Sequence, residues 1–234
     1  MAKPSLSARD RLIVALDVPD TRAAETLARS LDGHVGVFKL GLELAMNGGI
    51  DLARDLAADG KPVFLDLKLL DISNTVTKAV ENAAGQGFAF LTIHAYPAAM
   101  RAAVAGIGDS ALCLLGVTVL TSLNAEDLAE AGYSASPDEL VLSRAQSAAS
   151  TGMGGIVCSP MEVAAVRAKC PDLNIVTPGV RPAGSDTGDQ KRIATPASAI
   201  KSGSDYLVVG RPITQAGNPA EAADTIVDEI ASAF

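Results

Sequence analysis

The chain has 234 residues, of which 48% are apolar and 20% charged, a balance that predicts one compact globular domain over residues 1–234. Nineteen Lys and Arg oppose 27 Asp and Glu, so the net charge is −8, and aromatic residues make up only 3%. This charge disfavours binding to nucleic acid or to an acidic membrane surface, because both are negatively charged themselves.

The first ten residues contain no apolar run of the kind that a secretory signal has. The longest nearly apolar stretch, 111–120, is about half the length that a membrane helix needs. The chain has three widely spaced cysteines, and an odd number without a CxxC pair favours neither a disulfide framework nor a zinc ribbon. We therefore expect a cytoplasmic protein.

Eight short apolar runs bounded by turn residues predict buried β-strands. These runs are Leu12–Leu16, Val35–Phe38, Val63–Leu67, Ala89–Ile93, Leu112–Leu120, Gly155–Cys158, Asn174–Val176 and Tyr206–Val209. Helical patterns lie between them at Thr21–Leu31, Gly49–Ala58, Ile72–Gln86, Pro97–Ala105, Pro137–Ser150, Met161–Ala168 and Ala220–Ala231. Because strands and helices alternate throughout, we predict an α/β fold, a single-domain (β/α)8 TIM barrel rather than an open doubly wound sheet.

Polar residues lie at the carboxyl ends of most of the predicted strands. They are Asp17, Lys39, Asp66, Lys68, His94, Ser122, Ser159 and Arg211. The carboxyl ends of the strands form the rim where barrel enzymes carry their catalytic groups. We therefore expect an active site at this rim.

The densest group of charges closes the third predicted strand. Side chains alternate along a strand, so Asp66 and Lys68 are expected on one side, with Asp71 in the turn that follows. Charges at the end of an apolar strand are costly unless they are paired, although a surface salt bridge is the alternative. Asp17 and Lys39 end the two preceding strands and are expected to extend the network, whereas each alone would also suit a helix cap or a solvated position.

Two glycine-containing segments late in the chain predict a phosphate site. Gly179 and Gly210 allow close approach of a ligand to the backbone, and Arg211 adds a charged donor. The polar stretch 181–190 is interpreted as a mobile lid or an ordinary surface loop, with Gln190 in reach of the phosphate.

The two histidines favour structural positions. His94 follows an apolar strand and is expected to be a satisfied residue near the rim, whereas His34 lies in a turn and is expected to be exposed to solvent. The sequence contains no HExxH or GxSxG motif, so a zinc hydrolase or a serine esterase has no support.

Taken together, these segments resemble the orotidine 5′-monophosphate decarboxylase family. The run Asp66-Leu-Lys-Leu-Leu-Asp71 is similar to its D-x-K-x-x-D signature. Further segments match in the same order, namely Leu16–Val18, Phe38–Gly41, Leu120–Ser122, Thr177–Pro182, Gly188–Ile193 and Val209–Pro212. The resemblance extends from about residue 11 to the end of the chain, and Tyr96-Pro97 departs from the small, glycine-rich segment that is usual there.

The resemblance implies decarboxylation of orotidine 5′-monophosphate to uridine 5′-monophosphate and CO₂ in pyrimidine biosynthesis, without a cofactor or a metal ion. It implies that Lys68 donates a proton to C6 of the pyrimidine and that Asp66 lies beside the departing carboxylate. It further implies a homodimer in which the partner chain contributes Asp71, Ile72 and Thr75. The remaining implied contacts are Asp17 and Lys39 with the ribose hydroxyls, Ser122 with the pyrimidine edge, Pro178 with the ring, and Gln190, Gly210 and Arg211 with the 5′-phosphate.

Two other functions compete with this one. The signature alone is shared with magnesium-dependent keto-sugar-phosphate decarboxylases and aldolases, but those relatives generally have a metal-binding Glu where this chain has Lys39, and a lysine repels Mg²⁺. A non-catalytic sensor of a phosphorylated ligand is the second alternative, in which the four-charge array would have no purpose.

Overall fold

The computed structural model describes residues 6–182 and 194–234, and its strands close into a barrel. Each strand pairs in parallel with the next, and the eighth pairs with the first. The strands are β1 Leu12–Ala15, β2 Val37–Gly41, β3 Val63–Leu69, β4 Phe90–His94, β5 Cys113–Val117, β6 Gly155–Val157, β7 Asn174–Thr177 and β8 Tyr206–Val209. The predicted (β/α)8 TIM barrel is confirmed.

Helices cover the outside of the barrel. They are α1 Thr21–Ser30, α2 Leu42–Leu44, α3 Ile50–Ala58, α4 Ser73–Ala84, α5 Pro97–Gly106, α6 Ala125–Glu130, α7 Pro137–Thr151, α8 Val163–Lys169, α9 Pro196–Lys201, α10 Arg211–Thr214 and α11 Pro219–Ala231. Several begin at a side-chain cap: Asp20 accepts from the Ala23 N–H, and Ser136 and Glu139 form a capping box. In the part of the chain that the structure describes, no helix has the length and apolar character to cross a membrane.

Two predicted strands differ from the observed ones by three residues at one end, whereas the bounds of the others agree to within two residues. Strand β2 begins two residues later than predicted and continues through Gly41, so Lys39 lies within the strand rather than after it. Strand β5 ends at Val117, and the rest of the predicted run, through Leu120, is a loop at the mouth of the barrel. Short helices α2, α6, α9 and α10 carry too few turns to show apolar periodicity, which is why the sequence pattern did not indicate them.

The core has two parts, one between the sheet and the helices and one inside the barrel. The inner part is built by apolar side chains from several strands, namely Ile13, Val37, Phe64, Phe90, Leu115 and Val176. Phe90 contacts Phe64 and Tyr206 edge-on, with ring centroids 5.8 and 5.1 Å apart, a favourable arrangement for aromatic rings. Because Phe64 also lines the cavity, its ring belongs to the floor of the site, and Phe90 packs against it from the inner core.

Two strand glycines differ in the space around them, and this difference is testable. A methyl group on Gly155 would press against the backbone carbonyl oxygen of Asn174, whereas one on Gly116 would meet Ala95 at an ordinary 3.5 Å. Overpacking costs about 1–3 kcal/mol, and each kcal/mol lowers Tm by about 2–4 °C in a chain of this size. We expect Gly155→Ala to lower Tm by several degrees and Gly116→Ala to leave it nearly unchanged in thermal melts. Equal Tm values for the two variants would contradict this account of the β6–β7 contact.

Candidate active site

A cavity of about 410 Å³ opens at the carboxyl ends of the strands, within the usual size range of small-ligand sites. Its lining residues are Ala15, Asp17, Lys39, Phe64, Asp66, Lys68, Val117, Val119, Leu120, Thr121, Val157, Pro178, Gly179, Arg181, Val208, Gly210, Arg211, Thr214 and Gln215. The cavity therefore brings the predicted charges of the first three strands together with predicted residues of the last two.

Four charged side chains form a continuous chain in this cavity. Lys39 Nζ lies 3.2 Å from Asp17 Oδ1 and 3.6 Å from Asp66 Oδ2. Lys68 Nζ lies 2.8 Å from Asp66 Oδ1 on the other side. Lys39 is only 6% exposed, and a lysine is buried at acceptable cost only with such partners. Gly41 leaves room for the array, because a β-carbon there would lie 3.2 Å from both Asp17 Oδ1 and Lys39 Nζ.

Strand β3 is irregular where it carries Asp66 and Lys68. Leu65 pairs with Leu91 and Leu69 pairs with Ile93, so four steps along β3 oppose two along β4. Within this bulge Lys68 has a φ of 49°, a left-handed conformation that is uncommon for a residue other than glycine. The bulge re-aims the Lys68 side chain into the cavity, where it meets Asp66.

Thr92 on β4 contacts both Asp66 and Lys68 in the bulge. Its role was not predicted from the sequence. The Lys68 backbone N–H donates to Thr92 Oγ1 at 2.9 Å, and the Thr92 hydroxyl donates to Asp66 Oδ1 at 3.0 Å. Thr92 is completely buried. A polar residue inside an otherwise apolar strand was the signal for it, but its partners depend on a register that the sequence does not reveal.

Asp66 remains ionised in spite of its burial. Burial alone would raise the pKa of Asp66, but the positive charges of Lys39 and Lys68 and the hydrogen bonds from Lys68 and Thr92 lower it below the ordinary value. The site therefore holds a fixed negative charge between two ammonium groups at neutral pH.

The residues after β7 and β8 form the other end of the cavity. Pro178, Gly210 and Arg211 line it as predicted. Gly179 has a φ of 76°, a conformation that favours glycine at this turn. Thr214 and Gln215 also line this end and were not anticipated, because α10 was not predicted.

The proposed lid falls largely outside the described residues. Its first residue, Arg181, is buried, lines the cavity and donates its backbone N–H to the carbonyl of Ala194. Residues 183–190, and Gln190 with them, are outside the described part of the chain.

Other predicted residues lie apart from the cavity within one chain. Ser122 is exposed, and its neighbours Leu120 and Thr121 line the cavity instead. Asp71, Ile72 and Thr75 are also exposed, and the Asp71 carboxylate accepts the N–H of Ile72 at 2.6 Å. Ile72 lies at the cap of α4 rather than inside the predicted helix.

The two histidines occupy different surroundings. His94 ends β4 half-buried, and burial together with the positive charges of Lys68 and Arg144 lowers its pKa. It is therefore neutral at neutral pH and adds no charge beside Lys68. The expectation of a solvent-exposed His34 is wrong in part, because that side chain is 35% exposed and its Nδ1 lies 2.7 Å from Asp224 Oδ1.

No group of three or more His, Cys, Asp or Glu side chains suited to a metal ion occurs among residues 6–182 and 194–234. In the cavity, the ammonium of Lys39 lies between the carboxylates of Asp17 and Asp66. This lysine supplies the positive charge that a divalent cation would bring to the same position.

Comparison with known proteins gives the family. Residues 10–226 match the family model described as orotidine 5′-phosphate decarboxylase / HUMPS family. The chain belongs to this family. Two curated relatives named orotidine 5′-phosphate decarboxylase, from two strains of Rhodopseudomonas palustris, are 56% and 53% identical. The first match covers 97% of both chains, and the second covers 100% of this chain and 99% of the relative.

Solved structures agree with this family. An orotidine 5′-phosphate decarboxylase from Lactobacillus acidophilus superposes with a TM-score of 0.82 at 37% identity, covering 94% of this chain and 98% of that one. The enzyme of that name from Pyrococcus horikoshii gives a TM-score of 0.76 at 26% identity, with 94% and 99% coverage. The predictions of this decarboxylase family and of a carboxy-lyase are confirmed.

The role of Thr92 predicts a pH-dependent loss of stability. A carboxylate whose pKa is lowered in the folded state stabilises the protein above its unfolded pKa, and that contribution is lost as the pH falls. Thr92→Val removes one hydrogen bond to Asp66 and leaves the partly buried Lys68 N–H without its acceptor, at a cost of about 1–3 kcal/mol. We expect a lower Tm at neutral pH but a shallower loss of stability between about pH 5 and pH 2, because without the Thr92 hydrogen bond the pKa of Asp66 in the folded state lies closer to its unfolded value.

Thr92→Ser is the matched control, because it keeps the hydroxyl and removes only a methyl group. Thermal melts across this pH range should give it a profile close to that of the unmodified protein. A Thr92→Val variant with the same profile as Thr92→Ser would contradict the role of the hydroxyl.

Proposed function

We propose that this protein decarboxylates orotidine 5′-monophosphate to uridine 5′-monophosphate and CO₂, as de novo pyrimidine biosynthesis requires. The observation that carries the proposal is the alternating array of Asp17, Lys39, Asp66 and Lys68 at the mouth of the barrel. Family membership and the full-length relatives of that name support the same reaction.

The cavity suits a nucleotide that lies across the mouth. Gly210 and Arg211 follow β8 and are suited to a phosphate, Asp17 and Lys39 are suited to ribose hydroxyls, and Lys68 lies farther across on β3. In this placement C6 of the pyrimidine faces the Lys68 ammonium and the substrate carboxylate lies near Asp66. Pro178 packs beside the ring, and Ser122 and Gln190 remain candidates for the pyrimidine edge and the phosphate.

The reaction explains why the site consists of charges. When CO₂ leaves C6, the electron pair remains in an sp² orbital in the ring plane, where the π-system does not delocalise it. Electrostatic stabilisation is the main means that remains. Lys68 supplies a positive charge and then transfers a proton to C6, which yields the nucleotide product and a neutral amine that solvent protonates again.

Asp66 destabilises the bound substrate relative to the transition state. A substrate carboxylate placed beside this ionised and largely buried side chain is repelled, and the repulsion disappears as neutral CO₂ departs. The Asp66 carboxylate also holds the Lys68 ammonium 2.8 Å away.

These charges need support from the distant end of the substrate. A single ammonium about 4 Å from the carbanion contributes roughly 4 kcal/mol at an effective dielectric near 20, which corresponds to about three orders of magnitude in rate. Binding of the phosphate at Arg211 supplies further free energy for holding the carboxylate against Asp66 and for excluding water. No cofactor is required.

The magnesium-dependent alternative fits the site less well. Lys39 Nζ already lies 3.2 and 3.6 Å from the carboxylates of Asp17 and Asp66, so a divalent cation would meet an ammonium between them. An assay with and without EDTA separates the two functions.

We infer further that the active protein is a homodimer. Leu42, Met46, Leu70 and Ile72 expose between 51% and 87% of their surfaces on the segments after the neighbouring strands β2 and β3, and such a patch is typical of an interface. Asp71 lies between Leu70 and Ile72, so a partner packed on this patch would receive its carboxylate. This arrangement supports the assignment of Asp71, Ile72 and Thr75 to the neighbouring site.

The first test of the function is an absorbance assay of orotidine 5′-monophosphate with the Lys68→Ala variant. We expect turnover by the unmodified protein that is insensitive to EDTA, and a loss of at least about a thousandfold in the variant because both proton donor and charge are removed. Lys169→Ala, at an exposed position on α8, is the control and should retain full activity. Absence of turnover in the unmodified protein would contradict the proposed function and favour a non-catalytic sensor of a phosphorylated ligand. Turnover that EDTA abolishes would favour a magnesium-dependent enzyme.

The shared site predicts complementation between inactive subunits. Lys68→Ala and Asp71→Ala homodimers should each be nearly inactive. In a heterodimer one site carries both substitutions and the other carries neither. Dissociating and reassociating an equal mixture should therefore restore about one quarter of the sites, for random pairing in a symmetric dimer.

Native mass spectrometry of differently tagged subunits provides the control that heterodimers form. If they form without recovery of activity, Asp71 acts within its own chain and the shared site is wrong.

A further inference from the structure

A cluster of three side chains lies near the carboxyl ends of β4 and β5. Arg144, from the middle of α7, stacks on the rings of Tyr96 and Tyr133, with its guanidinium carbon 4.9 and 5.3 Å from their centroids. The two tyrosine hydroxyl oxygens lie 2.6 Å apart, and Arg144 Nη2 donates to the Tyr133 hydroxyl at 3.0 Å. Tyr96 immediately precedes α5, and Tyr133 lies between α6 and α7.

The guanidinium also reaches the chain at the end of β5. Arg144 Nη1 donates to the carbonyl oxygen of Thr118 in a short hydrogen bond. Thr118 is anchored on its other side as well, because its backbone N–H and its hydroxyl both donate to the Val157 carbonyl, at 3.2 and 2.7 Å. Thr118 is therefore held from both sides, by β6 and by α7.

The residues that follow Thr118 are part of the active-site wall. Val119, Leu120 and Thr121 line the cavity, although they lie beyond the end of β5 and outside regular secondary structure. Arg211 follows β8, and β5 lies three strands away around the closed barrel of eight, so this wall lies across the cavity from Arg211. In the proposed substrate placement the group that faces this wall is the pyrimidine ring.

We propose that Arg144 is a positioning residue for ring recognition. By fixing the Thr118 carbonyl against the Tyr96–Tyr133 pair, it holds residues 119–121 in the conformation that receives the base. Planar guanidinium geometry allows one side chain to donate to Thr118 and Tyr133 while stacking on both rings. This proposal depends on the proposed function in one respect, namely that the ligand group received by residues 119–121 is a pyrimidine ring.

The test compares ligands with and without the base. Arg144→Met keeps most of the apolar stem and removes every donor. We expect it to weaken binding of uridine 5′-monophosphate and to raise KM for orotidine 5′-monophosphate by roughly tenfold, equivalent to about 1.4 kcal/mol. Binding of ribose 5-phosphate should stay unchanged, since its contacts lie on the opposite wall. Calorimetric titration measures both dissociation constants.

Arg22→Met, at an exposed position on α1, is the matched control and should alter neither affinity. Equal losses for both ligands would assign Arg144 a general structural role, and unchanged affinity for both would remove any role. Either result overturns the proposal.

If Arg144→Met fails to fold, Arg144→Lys takes its place. A lysine keeps the charge and the stem but cannot donate to Thr118 and Tyr133 while stacking on both rings, so a smaller loss confined to the nucleotide is expected. Equal affinities with the unmodified protein would overturn the proposal. A protein that binds uridine 5′-monophosphate but does not decarboxylate orotidine 5′-monophosphate would remove the proposed function and leave the role of Arg144 standing.

Discussion

The site depends on the burial of one lysine between two carboxylates. Lys39 is almost inaccessible, and its ammonium has Asp17 on one side and Asp66 on the other. Removing Lys39 or Asp66 would take one partner away from a charge that is largely buried, which is more costly than losing an exposed ion pair. The strands β1, β2 and β3 must therefore keep their register for the site to exist, and the charges in turn specify that register.

A local departure from regular structure completes this arrangement. A regular β3 would continue its pairing with β4 and carry Lys68 along the barrel wall. The bulge instead places Lys68 in a left-handed conformation, and Thr92 satisfies its backbone N–H from the neighbouring strand. An unfavourable backbone conformation persists only where the surroundings fix it in this way. The position of the ammonium is thus set by the backbone as well as by its ion pair with Asp66.

Much of the fold and of the charge array could be predicted from the sequence, because both rest on local patterns. Strand count follows from apolar runs, and charged residues at the ends of the first three runs indicate the array, whereas the placement of Lys68 beside Asp66 depends on the bulge and not on regular strand alternation. The role of Thr92 could not be predicted, since it depends on a shift in register between two strands. The contact of Arg144 with Thr118 joins residues 26 positions apart, and no local periodicity encodes such a pair. His34 was misjudged for the same reason, because Asp224 lies 190 positions away.

The packed aromatic rings below the charges determine how substrate and products enter and leave the cavity. Phe64, Phe90 and Tyr206 pack edge to face below the charges, among the other buried side chains of the inner core, and a barrel interior filled in this way is a packed core and no tunnel. Anything that enters from the mouth must leave through it, including a gas released at the bottom of the cavity. Departure of one molecule is then a precondition for arrival of the next.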